Sequence, residues 1–397
     1  MITAQQNERF TRIGPGTPCG ELLRRYWQPL CPAAELTAER PKKRVRIMGE
    51  DLVVFRDGSG RLACVEEFCK HRGTSLYYGY IEESGIRCCY HGWLYDRTGQ
   101  CREQPFEPEG SRFKDEMRLK SYPVQSLGGL LFAYMGRDPE RAPLLPRWDV
   151  LVREDGRREV RVFPTHDCNW LQIQENTADS THTFYLHGIM DTVLKQKHPF
   201  APYYRRPIKK LEFSNCEWGI DKVIEYGGTV PEVEIRPPMI FPNILRIPNG
   251  PHEVMHWRVP IDDERTRILF VSFTPSPDGS VRTPEGSTIP FEYVPVMKTP
   301  EGEYDLKSFF SQDQMAQETQ GRIYDRSRES LGVSDRGIVL FRKMLDEQIA
   351  LVEAGNDPTV AVVRDPAQNR MIAFPSATSP VDGLKRIAES ERQTAAE

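Results

Sequence analysis

Short apolar runs dominate the first third of the chain. Arg44-Val45-Arg46-Ile47-Met48, Leu52-Val53-Val54-Phe55 and Leu62-Ala63-Cys64-Val65 are brief and rich in β-formers, and Asp57-Gly58-Ser59-Gly60 separates the last two as a hairpin turn. Gly128-Gly129-Leu130-Leu131-Phe132-Ala133-Tyr134 predicts the strand that closes this region, which runs from about 42 to 136. Ahead of it, Leu22, Leu23, Tyr26 and Trp27 fall at helical spacing, after a loop containing Gly14, Pro15, Gly16 and Pro18. Pro143, Pro146 and the charged run from Arg153 to Glu159 predict a linker. Beyond it the texture is mixed. Lys222 to Tyr226, Glu253 to Val259 and Ile268 to Phe273 predict strands of an antiparallel sheet. Residues 335–354 predict a long amphipathic helix, with Ile338, Phe341, Leu345, Ile349 and Val352 as its stripe, Ser334 as N-cap and Gly355 at C′. The pattern predicts an α+β chain in three blocks, 1–41, 42–150 and 151–397, with a loose tail after Ser376.

Composition narrows the partners. A chain of 397 residues can bury two substantial cores, and a net charge of −4 gives no electrostatic reason to expect nucleic acid or an anionic membrane as partner. No apolar run approaches the ~20 residues of a membrane span. Residues Met1 to Phe10 lack the basic-then-apolar plan of a secretory signal. Nine cysteines, an odd number, argue against a disulfide framework and for a reducing cytoplasm.

Two cysteine/histidine pairs carry the first candidate chemistry. Cys69-Lys70-His71 and Cys88-Cys89-Tyr90-His91 form C-x-H followed by C-x-x-H, with sixteen residues between them. Two thiolates and two imidazoles suit a Rieske [2Fe–2S] centre, with the sulfurs on one iron and the ring nitrogens on the other. The same set could hold a tetrahedral zinc ion. The spacing and the flanking His71-Arg72-Gly73 and His91-Gly92-Trp93 favour the cluster. Cys89 is out of phase with the pair and is expected to be a packed free thiol.

A second motif follows about ninety residues on. The stretch from Asn169 to Gly188 contains D-x-x-H-x-x-x-x-H, formed by Asp179, His182 and His187. Two imidazoles and a carboxylate with open coordination positions describe a non-haem Fe(II) oxygenase site. Glu175, one turn earlier, is an alternative carboxylate. On an ideal helix His187 would lie about 140° from His182. Joint ligation therefore predicts a distorted or π-type turn, or His187 at a helix end before Gly188. His166, His198, His252 and His256 are expected at the surface or satisfied in the core.

Two patterns are missing. No G-x-G-x-x-G follows a strand, and Gly14-Pro15-Gly16 lacks both the strand and the third glycine. Cys64 and Cys69 match only the first gap of a plant-type ferredoxin motif. The chain is thus expected to draw electrons from a separate NAD(P)H-dependent reductase, with or without a ferredoxin between them.

The two metal motifs in this order resemble the oxygenase component of a Rieske non-haem iron oxygenase, and the resemblance covers nearly the whole chain. Arg25-Tyr26-Trp27-Gln28-Pro29-Leu30, His256-Trp257-Arg258-Val259-Pro260-Ile261-Asp262-Asp263-Glu264-Arg265-Thr266, and Gln312-Asp313-Gln314-Met315-Ala316-Gln317-Glu318-Thr319-Gln320-Gly321 with Asp325-Arg326-Ser327 are similar to its phthalate dioxygenase-like branch. That branch holds both aromatic-acid dioxygenases and O-demethylases of lignin-derived aromatics. The resemblance implies an all-β Rieske domain over 42–150 and a helix-grip catalytic domain over 151–397, with 1–41 packing on the latter. It assigns Cys69, His71, Cys88 and His91 to the [2Fe–2S] cluster, and His182, His187 and Asp313 to a mononuclear Fe(II). Asp313 alone would read as a cap or a surface charge. Asp179 then becomes a bridge, running from His91 of one subunit to His182 of the next within a homotrimer or a multiple of one. The implied reaction uses O₂ on a small aromatic substrate. O-demethylation of a carboxylated, methoxylated, lignin-derived arene, for example of biphenyl type, is the favoured expectation. The alternatives are cis-dihydroxylation of an aromatic acid such as phthalate, and an electron carrier without oxygenase activity. A substrate carboxylate calls for an arginine, and Arg205, Arg206, Arg236 and Arg246 are candidates.

Overall fold

The computed structural model describes residues 2–228, 232–249 and 252–374, with 385, 388 and 389; the side chains of 232–237, 248 and 249 lie outside the described set. The segment after Ser376, expected to be loose, falls largely outside it as well. The fold is α+β, with three small sheets preceding one large one.

The first apolar runs pair as a three-stranded antiparallel sheet of Lys42–Ile47, Glu50–Arg56 and Leu62–Glu66. Tyr80–Glu82, Gly85–Arg87, Leu94–Asp96 and Cys101–Glu103 form a four-stranded meander beside it. Val53, Phe55, Val65, Leu76, Ile86 and Tyr95 fill a core shared by the two sheets. A third small sheet joins Gln28–Pro32 to Leu130–Ala133 and Val124–Leu127. The expected helix through Tyr26 and Trp27 is therefore shorter than its apolar spacing suggests. It spans Pro18–Leu23, capped by Thr17, and the chain is extended from Gln28. Pro29 and Pro32 cannot continue a helix, and they are tolerated in a strand at the sheet edge. The N-terminal helix Ala4–Thr11 is tied to the C-terminal half by Arg9, which pairs with Asp346 and Glu353.

The large sheet has eight strands in the order Ile208–Cys216, Gly219–Tyr226, Glu232–Ile240, Ile244–Asn249, His252–Asp262, Arg265–Pro275, Gly156–Val162 and Phe291–Tyr293. Every neighbouring pair is antiparallel except the last, which is parallel. The charged run read as linker from Arg153 to Glu159 in fact feeds the strand Gly156–Val162. Its charges alternate with the pleat: Arg157 and Glu159 are exposed, whereas Arg158 turns inward and donates to the Val150 carbonyl at 2.6 Å. The helix Arg336–Glu353 packs its apolar stripe against this sheet and against the helix Trp170–Ala178. Its N-cap is Asp335 after a tight turn, one residue beyond the expected Ser334. At the other end Gly355, at φ +81°, makes the expected left-handed stop. Gly355 N–H bonds to the Val352 carbonyl and Asn356 N–H to the Leu351 carbonyl, the two bonds of a Schellman motif.

Candidate metal centres

The first centre sits on two matching loops. One follows Leu62–Glu66 and carries Cys69 and His71; the other joins Gly85–Arg87 to Leu94–Asp96 and carries Cys88 and His91. In each loop a glycine four residues after the cysteine donates to the cysteine carbonyl, Gly73 to Cys69 at 2.9 Å and Gly92 to Cys88 at 3.0 Å. Both glycines hold positive φ, +73° and +75°, which a side chain would strain. Cys69 and Cys88 are buried, while His71 is exposed and His91 half-buried. The two rings lie 4.5 Å apart by centroid, and Trp93 stacks flat on His71. Two inner sulfurs and two outer imidazoles match the donor asymmetry of a diiron cluster with thiolates on one iron. The Tyr95 hydroxyl accepts from Lys70 N–H at 3.2 Å and lies 3.3 Å from Cys69 Sγ, so its own proton is free to point at the sulfur. Cys89, expected to be packed, is exposed, because burying Cys88 turns its neighbour outward.

The second centre lies where the helix Trp170–Ala178 ends. Asp179 is its C-cap, in an extended conformation, and its Oδ1 accepts from Thr181 N–H at 2.8 Å and from the Thr181 hydroxyl at 2.7 Å. That turn restarts the chain as a π-helix over Thr183–Ile189, in which Met190 N–H reaches back five residues to the Tyr185 carbonyl. The wider turn brings His187 round to the side of His182, which a regular helix would not do. From the facing helix Phe309–Glu318 comes Asp313. Its Oδ1 lies 3.4 Å from His187 Nε2 and 3.7 Å from His182 Nε2, and ligand atoms of the three residues all fall within 4.8 Å of one another.

Each imidazole is oriented from behind. His182 Nδ1 faces Asp179 Oδ2 at 3.4 Å, and His187 Nδ1 faces Gln312 Oε1 at 2.9 Å. With Gln312 accepting at Nδ1 of His187, the proton belongs there and Nε2 keeps its lone pair for a metal, whereas His182 Nδ1 stands at an ion-pair distance from Asp179 without a hydrogen bond among the described residues. Burial opposes ionisation of both carboxylates, but the neighbouring groups outweigh it. His182 and Thr181 hold Asp179 well below the usual carboxylate range, and His187 and His182 lower Asp313. Two imidazoles and one carboxylate converging in this way fit a divalent iron with open positions.

Glu175 is not part of this centre. Its side chain is buried between Arg326 and Arg342, with Arg326 Nη2 2.8 Å from Oε2 and Arg342 Nε 2.6 Å from Oε1. Asn176 is the residue that the pattern did not reveal: its Nδ2 lies 3.4 Å from His182 Nε2 and 3.5 Å from Asp313 Oδ1. Its position in the same motif stretch, three residues before Asp179, was the available signal.

A cavity of about 170 Å³ opens beside the three ligands. Ile173, Leu245, Ile247, Ile268, Phe309 and Phe310 supply its apolar wall. His166, His256 and Arg258 also line it, so two histidines expected to be bland face the site. His198 stacks on Phe309, and His252, at the surface, bonds to the Thr274 hydroxyl. Of the four candidate arginines, Arg246 alone lines the cavity among the described residues, and it is already paired with Asp149 and Glu253. Arg205 is exposed beside Thr192, Arg206 stacks on Tyr203 and Tyr226, and the side chain of Arg236 lies outside the described residues. Within one chain Asp179 bonds to Thr181 and His182 and, among the described residues, not to His91.

Residues 26–123 match the family model of the Rieske [2Fe-2S] domain. The chain is 38% identical over 405 residues to the 5,5'-dehydrodivanillate O-demethylase oxygenase subunit of Sphingobium sp. (strain NBRC 103272 / SYK-6), covering 100% of this chain and 90% of that protein. It is 36% identical to the phenoxybenzoate dioxygenase subunit alpha of Ectopseudomonas oleovorans, over 90% of this chain and 88% of the relative. Among solved structures, Pseudomonas putida CBB5 NdmA with caffeine superposes with a TM-score of 0.62 at 19% identity, covering 87% of this chain and 98% of that one, a likeness of fold.

Proposed function

The chain belongs to the oxygenase subunits of the Rieske-type oxygenases, and we propose that its own reaction is O-demethylation of a carboxylated, methoxylated aromatic. As a member it is an enzyme, the terminal oxygenase with a Rieske [2Fe–2S] domain and a mononuclear iron in its catalytic domain, rather than a bare electron carrier. The observation that carries the proposal is the convergence of His182, His187 and Asp313 at the wall of a largely apolar cavity.

The cluster supplies electrons one at a time and the iron activates O₂ when both are bound. Cys69, His71, Cys88 and His91 would hold the former, and His182, His187 and Asp313 the latter. Gln312 fixes the His187 imidazole, and Asp179 accepts from the His182 backbone N–H and lies behind its ring, so that the metal site keeps its shape when substrate enters. The apolar wall excludes water and limits side reactions. The chamber is close to the ~150 Å³ of a cavity that binds benzene. At about 170 Å³ it suits one substituted ring, with any second ring of a biphenyl toward the mouth. Oxygenation of a methoxy C–H gives a hemiacetal that collapses to a phenol and formaldehyde. One O₂, two electrons and two protons yield these products and one water. Similarity to an O-demethylase subunit over the full chain supports this outcome. Ring cis-dihydroxylation is the second reading, favoured by the relative that is a dioxygenase subunit.

Because Asp179 meets only one of the two centres within a chain, the bridge to His91 would be completed by a neighbouring copy, in a homotrimer or a multiple of one. The electrons would come from a separate NAD(P)H-dependent reductase, directly or through a ferredoxin. Among the described residues no helix is long and apolar enough to cross a membrane, and all nine cysteines are free, which suits the reducing cytoplasm. The test is formaldehyde release from a panel of methoxylated aromatic acids, with a surrogate reductase. The proposal expects release from at least one acid; cis-diols without formaldehyde would replace it with the second reading.

A further inference from the structure

Among the described residues lining the cavity beside the iron ligands is a buried arginine without a counter-ion. On the strand His252–Asp262, His256 and Arg258 share a face because alternate residues do. The register sets Leu245 opposite His256 and Ile268 opposite Arg258, so polar and apolar lining residues arise from one sheet face. His256 and Arg258 are each only 3% exposed. Arg258 donates to Gln174 Oε1 at 2.9 Å and to the Thr177 hydroxyl, which fixes the guanidinium from the side of the Trp170–Ala178 helix. Its Nε and the Nε2 of His256 are buried without a hydrogen-bond partner among the described residues. Neither Gln174 nor Thr177 carries a charge, and no ion pair to Arg258 occurs among the described residues.

This is unusual for a buried arginine, since an uncompensated interior charge is costly. Arg246, in the same wall, shows the ordinary solution, two carboxylates on one guanidinium. Burial pushes Arg258 down to about 9, so the cation persists at neutral pH but is poorly accommodated. Asp313 is the carboxylate that acts on it electrostatically, and a divalent iron would claim that charge. Burial, followed by the charge of Arg258, keeps His256 neutral and able to donate through Nε2. A neutral donor and a guanidinium without a counter-ion, both lining one largely apolar chamber, describe a receptor for a planar anion.

We propose that Arg258, with His256 beside it, anchors the carboxylate of the aromatic substrate and holds the ring along the apolar wall toward the iron ligands. The inference rests on the carboxylated-arene reading above and adds the residues that would enforce it. Arg258 is then a binding residue that sets substrate class and ring placement.

The test is calorimetric binding of para-methoxybenzoate and its methyl ester to the full-length, metal-loaded protein without reductase. The wild type should prefer the acid by roughly 30-fold, the scale of a charge-assisted bidentate contact. Arg258→Gln should bring acid and ester to within about threefold while leaving ester affinity and iron content unchanged. Should Arg258→Gln fail to fold, Arg258→Lys keeps the charge but not the fork. It should weaken the acid several-fold and spare the ester, and equal losses for both would overturn the anchor. A preference for acid that survives in Arg258→Gln overturns the anchor and leaves the proposed reaction untouched. No preference in the wild type overturns the anchor together with the carboxylated substrate. Loss of preference in Arg258→Gln without formaldehyde from the wild type supports the anchor and overturns demethylation alone.

Discussion

Replacing Glu175 with glutamine should destabilise the fold and spare the iron. Glu175 accepts from Arg326 Nε at 2.9–3.0 Å and from Arg342 Nε at 2.6 Å, with Arg326 Nη2 at an ion-pair distance of 2.8 Å, and its side chain is 9% exposed. Arg326 is fully buried, and its remaining side-chain bonds are to neutral oxygens of Asn7 and Tyr324. Arg342 keeps Glu329. Glutamine would leave Arg326 without a counter-ion and press an amide N–H₂ against guanidinium donors. Breaking a buried pair typically costs ~3–5 kcal/mol. Because Arg342 retains a partner, about 3 kcal/mol is expected, a fall of roughly 6–12 °C in Tm for a domain of this size. The pH dependence follows from the sign of the shift. Burial alone would raise the Glu175 carboxyl, but Arg326 and Arg342 outweigh it and lower its pKa in the folded state. Its stabilisation is therefore fully present above the unfolded value of about 4.3 and is lost as pH falls through the lower folded value. The gap between wild type and variant should be constant at neutral pH and close below about pH 4. Denaturant unfolding across pH, with iron analysis of each sample, measures both quantities. Loss of iron at unchanged stability would instead make Glu175 a ligand.

Asp179→Asn should retain both metals yet lose about 10–100-fold in turnover, the usual cost of removing a carboxylate behind a metal-bound histidine. Steady-state rates together with iron content decide this, and full activity would remove the bridge. Tyr95→Phe removes the hydroxyl 3.3 Å from Cys69 Sγ. Losing a hydrogen bond of ~1 kcal/mol that favours the reduced cluster should lower its potential by roughly 40 mV. Protein-film voltammetry would show it, and an unmoved potential would mean that the hydroxyl does not donate to sulfur.

Much of this was legible in the chain, because metal chemistry leaves local marks. Two cysteine/histidine pairs and the Asp179, His182, His187 motif are short-range patterns, and the five-residue gap between the histidines foretold the wider turn at Thr183–Ile189. Strands with strong β-formers were legible for the same reason. The charged strand Gly156–Val162 was not, since its inward Arg158 looks like a surface charge until its backbone partner is seen. Arg258 and His256 were hidden likewise. That Arg258 Nε and His256 Nε2 lack a hydrogen-bond partner among the described residues emerges only from the packing. Glu175 was ambiguous because its partners Arg326 and Arg342 lie more than 150 residues away, a separation that no local pattern spans.

Whether one chain holds two distinct iron sites is decided by total iron with acid-labile sulfide per chain, on wild type and on His182→Ala. About three irons and two sulfides are expected in the wild type, and about two of each in the variant, with the visible absorption of the cluster intact. Equal iron in the two proteins, or a wild type without sulfide and colour, would contradict two sites per chain.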